Sequence, residues 1–327
     1  MKFAKSNDIK YLFIFLFIVP LIGFGQSYSL DNAKQLLQEK KYVIAEETLE
    51  IFLIEAPNDI EIIELLGDAY GQQEKWDEAI DEYEKLVEMK PNVANFHYKY
   101  GGALGMKALN VSKLRAVTFI GDVKTAFLKA AELDPKHINT RWALVELYMQ
   151  LPGIIGGSKS KSLKYADELE SLSLVDGYLA KGYIYEYDNE PELAETFYKK
   201  AIKIGGSLTC FDKLTNLYES QKQPEKAIST IEEAQVKHKR NALHYQIGKI
   251  AAEYNVQLNK GVQCLQTYIR NYSAADGVPK AWANYRLAQI HKHKANKSEA
   301  LKYINLAIAA LPKIDVFQKE KTDILKL

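Results

Sequence analysis

The sequence predicts an all-α protein, a solenoid of about eight helical hairpins finished by a C-terminal capping helix. Three observations predict it. Small and large apolar residues recur in register every 34 residues: Ala33, Gly67 and Gly101; Leu36, Tyr70 and Leu104; Ala45 and Ala79; Pro57 and Pro91. No stretch alternates apolar and polar residues as a half-buried strand does, and no linker-like composition divides the chain. At 327 residues the chain exceeds the usual single-core domain, a ceiling that stacked repeats escape because each touches only its neighbours.

The repeating unit is clearest in residues 66–91. Leu66, Gly67 and Tyr70 share one face of a first helix. Trp76 and Ala79 open a second, Tyr83 and Leu86 continue its inner face, and Pro91 stops it. Gly67 and Ala79 fall where the two helices cross, and larger side chains there would force the backbones apart. This Leu-Gly-x2-Tyr, Ala-x3-aromatic, Pro spacing resembles the tetratricopeptide repeat (TPR), a helix–turn–helix unit of about 34 residues. The resemblance extends over nearly all of residues 26–327. It implies a right-handed solenoid whose first helices line a concave groove.

The hairpins follow in order. The first pairs residues 30–39 with 42–55 through Ala33, Leu36, Ala45, Leu49 and Phe52. The second is the unit just described. The third opens on Gly101 and Leu104 in residues 94–107 but closes late, at Phe127, Ala130 and Pro135. The extra residues, 108–118, contain neither Gly nor Pro and predict lengthened helices rather than a loop. The fourth begins at Ile138 with Trp142, Leu144 and Tyr148, is interrupted at 151–158, and resumes at 161–171 around Ala166.

The fifth (175–206) carries Gly182, Tyr185, Ala194, Tyr198 and Ala201, and the sixth (208–239) Leu214, Tyr218, Ala227, Ile231 and Ala234. The seventh (241–272) keeps Ile247, Gly248, Gly261 and Leu265, and the eighth (281–312) Leu287, Ala288, Ala300, Ile304 and Ala307. Residues 315–327 then form a mostly polar helix, as a terminal cap must.

Residues 1–25 read differently. Lys2, Lys5 and Lys10 precede an apolar run at 11–22, followed by Gly23, Phe24 and Gly25. A run of about 12 residues is too short for a membrane span, which needs about 20, and the three-part pattern predicts a signal peptide. The expectation is cleavage after Gly25, leaving residues 26–327 as one solenoid domain in the periplasm or outside the cell. The Pro-Gly-x2-Gly-Gly run at 152–157 resembles a feature of secreted bacterial TPR proteins.

Balanced charge, 43 basic against 42 acidic residues, gives no reason to expect a nucleic-acid partner. Cys210 and Cys264 fall on different helices of successive repeats and are expected to be unpaired. The segment 153–160 lacks the last Gly of a phosphate-binding loop, with Ser158 in its place, and follows a helix rather than a strand. It reads as a turn in which Ser158 caps the next helix, whose free N–H groups can hold a small anion. A catalytic site at this loop would need Glu146, Asp167 and Glu168 to converge on it. His291 and His293 do not share a helical face, and no metal-ligand or nucleophile motif is present. No catalytic, metal or cofactor site is therefore expected.

The informative excess is aromatic: 21 Tyr, 12 Phe and 3 Trp. Groove positions lie three before the crossing residue of each first helix, and one, four or five after it. These offsets select Tyr98, Trp142, Glu146, Tyr183, Tyr187, Tyr245 and Tyr285, with Trp282 one turn earlier. Glu64, Asp68, Asp212, Asn216 and Gln289 alternate with them. Rigid rings among polar groups suit an extended peptide or a partner helix, so the expected function is a non-catalytic adaptor or scaffold in the cell envelope. The competing reading is a small-molecule or glycan site that uses the same rings as a stacking surface. Either fails for any ring that tilts into the core.

Overall fold

The computed structural model describes residues 29–327, so the predicted signal peptide lies outside the described residues. Among the described residues there are 17 α-helices and no strand. They divide into two compact units, one ending at Met89 and one beginning at Lys90.

The first unit holds two hairpins: α1 (Leu30–Gln38) with α2 (Tyr42–Glu55), and α3 (Ile60–Gln72) with α4 (Trp76–Met89). Ser29 and Asp59 start α1 and α3 by accepting backbone N–H bonds that the first turn cannot otherwise satisfy. The crossing of α3 and α4 is as tight as the sequence implies: a Cβ on Gly67 would stand 2.6 Å from the Tyr83 ring. The Tyr83 hydroxyl then donates to Asp68 at 2.7 Å. Ala33, Ala45, Leu49, Ile63, Leu66, Ala79 and Leu86 fill the interior.

The second unit continues the pattern through α5 (Ala94–Leu109), α6 (Lys113–Leu133), α7 (Ile138–Gln150), α8 (Lys159–Leu172), α9 (Leu174–Tyr187) and α10 (Pro191–Ile204). It ends with α11 (Leu208–Ser220), α12 (Pro224–His238), α13 (Asn241–Tyr254), α14 (Leu258–Arg270), α15 (Lys280–His293), α16 (Lys297–Ala310) and the single α17 (Asp315–Leu325). Each helix packs on its neighbours in sequence. First helices also meet one another, α5 with α7, α7 with α9, α9 with α11 and α13 with α15. Small crossing residues recur: a Cβ on Gly101 would stand 2.9 Å from Phe127, and on Gly182 or Gly248 closer still to Tyr198 or Leu265.

A repeated backbone device closes the short turns of both units. Lys40, Glu74, Asn189, Lys222 and Ala295 all adopt left-handed φ between 50° and 65°. In each case the N–H of the next residue bonds a carbonyl five residues back, as in Lys75 to Tyr70 at 3.0 Å and Gln223 to Tyr218 at 2.8 Å. This is the closing bond of a Schellman turn, formed without glycine at a cost of about 1–2 kcal/mol per turn.

The third hairpin is lengthened as expected, with 16 residues in α5 and 21 in α6, and its turn falls at Asn110–Val111–Ser112. Segment 151–158 folds into one 3-10 turn at Gly153–Ile155. Here Gly156 has φ +104°, and a Cβ on Gly157 would overlap the Leu151 carbonyl. A second irregular stretch, at 273–279, contains the turn Ala274–Asp276 and had no signal in the repeat pattern. Arg141 is buried beneath the end of α6, donating to the carbonyls of Asp134 at 2.6 Å and Ala131 at 3.1 Å and to Glu168 at 3.3 Å. The last helix caps the unit by burying Phe317 and Ile324 completely. Cys210 and Cys264 are both free thiols.

Candidate functional site

Five of the predicted groove residues come together on α5, α7 and α9. Tyr98 on α5 is half-buried, its ring 5.2 Å from His137 and 6.2 Å from Phe127. Tyr183 on α9 is half-buried too, its hydroxyl 3.4 Å from the Gln150 amide and its ring 6.0 Å from that of Tyr187. Tyr187 is 53% exposed.

Glu146 on α7 stands between the two tyrosines. Burial pushes the hydroxyls of Tyr98 and Tyr183 up from the usual phenol range, and the Glu146 charge adds to both shifts. The Glu146 carboxyl is itself pushed up by burial, opposed by the Lys213 ammonium on α11. Yet its side chain is open to solvent. A carboxylate that its neighbours partly desolvate while water still reaches it stands in a shallow recess. Asp212 on α11 repeats the combination, exposed and pushed up by burial. Glu146 has no hydrogen bond or ion pair among the described residues.

Trp142 contributes differently. Its indole N–H donates to Asp176 on α9 at 2.9 Å, and its ring packs against two apolar clusters, one built by α7, α8 and α9 and one that runs from α9 to α15. It is a wall of the recess, held in place by the next hairpin.

The other three predicted residues are not in the recess. Tyr245 is only 9% exposed, its ring 5.4 Å from Tyr268 of α14. Tyr285 is only 6% exposed and stacks on Phe317 of α17 at 5.1 Å. Trp282 meets the same Phe317 edge-on at 5.0 Å. Their helical offsets are those of groove residues, but α14 and α17 cover them, and they serve the C-terminal core. Gln289 turns inward to this cluster, donating to the Tyr285 hydroxyl at 2.9 Å. Lys213 carries no signal in the pattern of aromatic and acidic residues at those offsets. Gly102, one residue past the α5 crossing, has nothing within 4 Å of the position a Cβ would take, and so leaves bare backbone near Tyr98.

The 151–158 loop has no convergent chemistry. Ser158 caps α8, accepting the Lys161 N–H at 3.3 Å. Asp167 pairs with Lys181 and Glu168 with Arg141, so neither reaches the loop with Glu146. Among the described residues no three His, Cys, Asp or Glu side chains are placed to hold a metal ion. No described helix is long and apolar enough to cross a membrane.

Comparison with known proteins agrees with the repeat reading. Residues 67–107 match the family described as TPR repeat, and residues 175–204 the tetratricopeptide repeat. No curated protein matches the chain. Among solved structures, a tetratricopeptide repeat protein from Parabacteroides merdae is 13% identical, with 92% of this chain and 100% of that one covered and a TM-score of 0.48. TTC0263, a TPR protein of Thermus thermophilus, is 15% identical over 73% of this chain and 97% of its own, with a TM-score of 0.40. YrrB, described as a TPR protein with an unusual peptide-binding site, is 18% identical over 60% and 98%, with a TM-score of 0.43. The chain thus contains tetratricopeptide repeats.

Proposed function

We propose that the protein is a non-catalytic adaptor that holds a peptide or protein segment against the recess of α5, α7, α9 and α11. Glu146 is the observation that carries this reading. A carboxylate crowded by protein, open to water and without a donor gains most from a ligand that brings one. Tyr98 and Tyr183 flank it, offering large contact area for little lost side-chain freedom. An extended segment with a Lys, Arg or free backbone N–H between two apolar side chains would satisfy all three. The tetratricopeptide repeats support the same reading, since this architecture commonly presents its first helices to partner proteins. The basic, apolar and small-residue pattern of residues 1–25 supports a periplasmic or secreted location in a bacterial envelope.

The test is co-purification of the tagged chain from its native envelope, alongside Tyr183→Ala and Glu146→Ala. Both variants are expected to lose most of the recovered partner while keeping wild-type helicity. Unchanged recovery would remove the recess from consideration. N-terminal sequencing of the exported chain tests the location, with Gln26 as the expected first residue.

A further inference from the structure

Two exposed apolar surfaces outside the recess carry opposite charge. On α2, Val43, Ile44, Ile51 and Ile54 are all exposed, Ile54 at 81%. At about 100° per residue these four fall within one arc of about 100°, with Glu47 at its centre. α2 carries four glutamates and no basic residue. An outward-facing helix normally keeps that face polar, so a continuous isoleucine stripe is a surface awaiting cover.

The second surface is the lengthened tip of the third hairpin. Leu109 is 69% exposed and Leu114 88% exposed, with Val117 and Met106 also open. Gly121, one turn along from Val117, has nothing within 4 Å of its missing side chain, so the face is flat as well as apolar. Its charge is the reverse of α2: residues 107–124 hold Lys107, Lys113, Arg115 and Lys124 against Asp122 alone. Glu47 and Glu55 on the one surface, and Lys113 and Arg115 on the other, enter no ion pair among the described residues. The chain as a whole is nearly neutral, so this separation is local.

We infer that the protein self-associates head to tail, the basic tip of α5 and α6 in one copy seating on the acidic isoleucine stripe of α2 in the next. Apolar contact supplies the affinity, and the opposed charges select this pairing over tip with tip or stripe with stripe. Because the two surfaces differ, one contact leaves a stripe unused on one copy and a tip unused on the other. The remaining pair of surfaces is met either reciprocally, within a twofold dimer, or by further copies in a ring or open chain. The recess on α7 and α9 takes no part and stays available to its ligand.

The experiment is sedimentation velocity of the full purified chain over a range of concentrations, at low and moderate salt. Wild type is expected to show a mass that rises with concentration above that of the monomer. The variants K113E/R115E and E47K/E55K change only exposed side chains, and circular dichroism checks that both fold. Each alone is expected to associate at least about tenfold more weakly, since like charges then oppose. Mixed in equal amounts they are expected to recover association, because the acidic stripe of one meets the basic tip of the other. Three results would overturn the inference: a wild-type chain that stays monomeric, variants that associate as wild type does, or a mixture that fails to recover. Binding of a monomeric wild type to phosphatidylglycerol vesicles through Lys113 and Arg115 would also overturn it, assigning the tip to a membrane surface.

Discussion

Trp142 and Asp176 stand 34 residues apart in the sequence and 2.9 Å apart in the structure, indole N–H to carboxylate oxygen. The repeat period has become a contact between neighbouring first helices. Ser173 Oγ also donates to the Asp176 carboxylate, at 2.5 Å, and accepts the Asp176 N–H, which fixes the start of α9. The fifth hairpin is thereby located against the fourth.

That bond predicts a measurable coupling. Trp142→Phe removes the indole donor and leaves the carboxylate with Ser173 alone, and Asp176→Ala leaves the indole without its acceptor. A double-mutant cycle by urea unfolding should give a coupling of about 1.5–3 kcal/mol, the range for a hydrogen bond to a charged group. A coupling near zero would mean that the two residues act independently.

Glycine replacements at α5 and α9 should move stability in opposite directions. Ala is intrinsically favoured over Gly in a helix by about 1 kcal/mol. At Gly102 nothing opposes that gain, and Gly102→Ala should stabilise by roughly this amount. At Gly182 the added methyl would press into the ring of Tyr198, which is fully buried and cannot yield. Gly182→Ala should therefore destabilise by about 1–3 kcal/mol. Thermal unfolding of the two variants reads the difference in sign directly.

The 151–158 loop should prove structural. Gly157→Ala places a methyl on the Leu151 carbonyl, a backbone atom with no rotamer to escape by. The expected loss is about 2 kcal/mol or more, with partner recovery unchanged where the fold persists. A variant that keeps its stability but loses the partner would make the loop a recognition element instead.

Glu146 gives a pH signature. Burial holds its folded carboxyl above the ordinary value, so the folded state binds that proton more tightly than the unfolded chain does. Its contribution is fully present below the unfolded carboxylate pKa of about 4.3 and is lost as pH rises through the raised folded value. Glu146→Gln should therefore melt higher than wild type at neutral pH, with the two curves converging in acid. Equal melting points at pH 7 would show that the recess does not strain the charge. Coupled with weaker partner recovery, the expected result marks Glu146 as a residue kept for binding at a cost in stability.

Much of the fold was legible because the period reports on close packing. Gly67, Gly101, Gly182 and Gly248 mark crossings where a methyl group would collide, and a sequence can announce such positions only with small residues. The lengthened α6 was legible for a similar reason, since residues 108–118 contain nothing that would stop a helix. The turn residues were not. Lys40, Glu74 and Lys222 take a left-handed conformation that their side chains do not advertise, imposed by the hairpins they join.

The candidate site shows where sequence and tertiary structure divide. Periodicity determined which direction each side chain leaves its helix, and so it placed Tyr98, Glu146, Tyr183, Tyr245 and Tyr285 at equivalent angles. An angle does not say what stands opposite. Phe317 of α17 covers Tyr285 and Tyr268 of α14 covers Tyr245, whereas Tyr98, Glu146 and Tyr183 remain partly open. Only the packing of neighbouring helices decided which of these became core and which became surface, because burial belongs to the pair of elements that meet and not to the one that carries the residue.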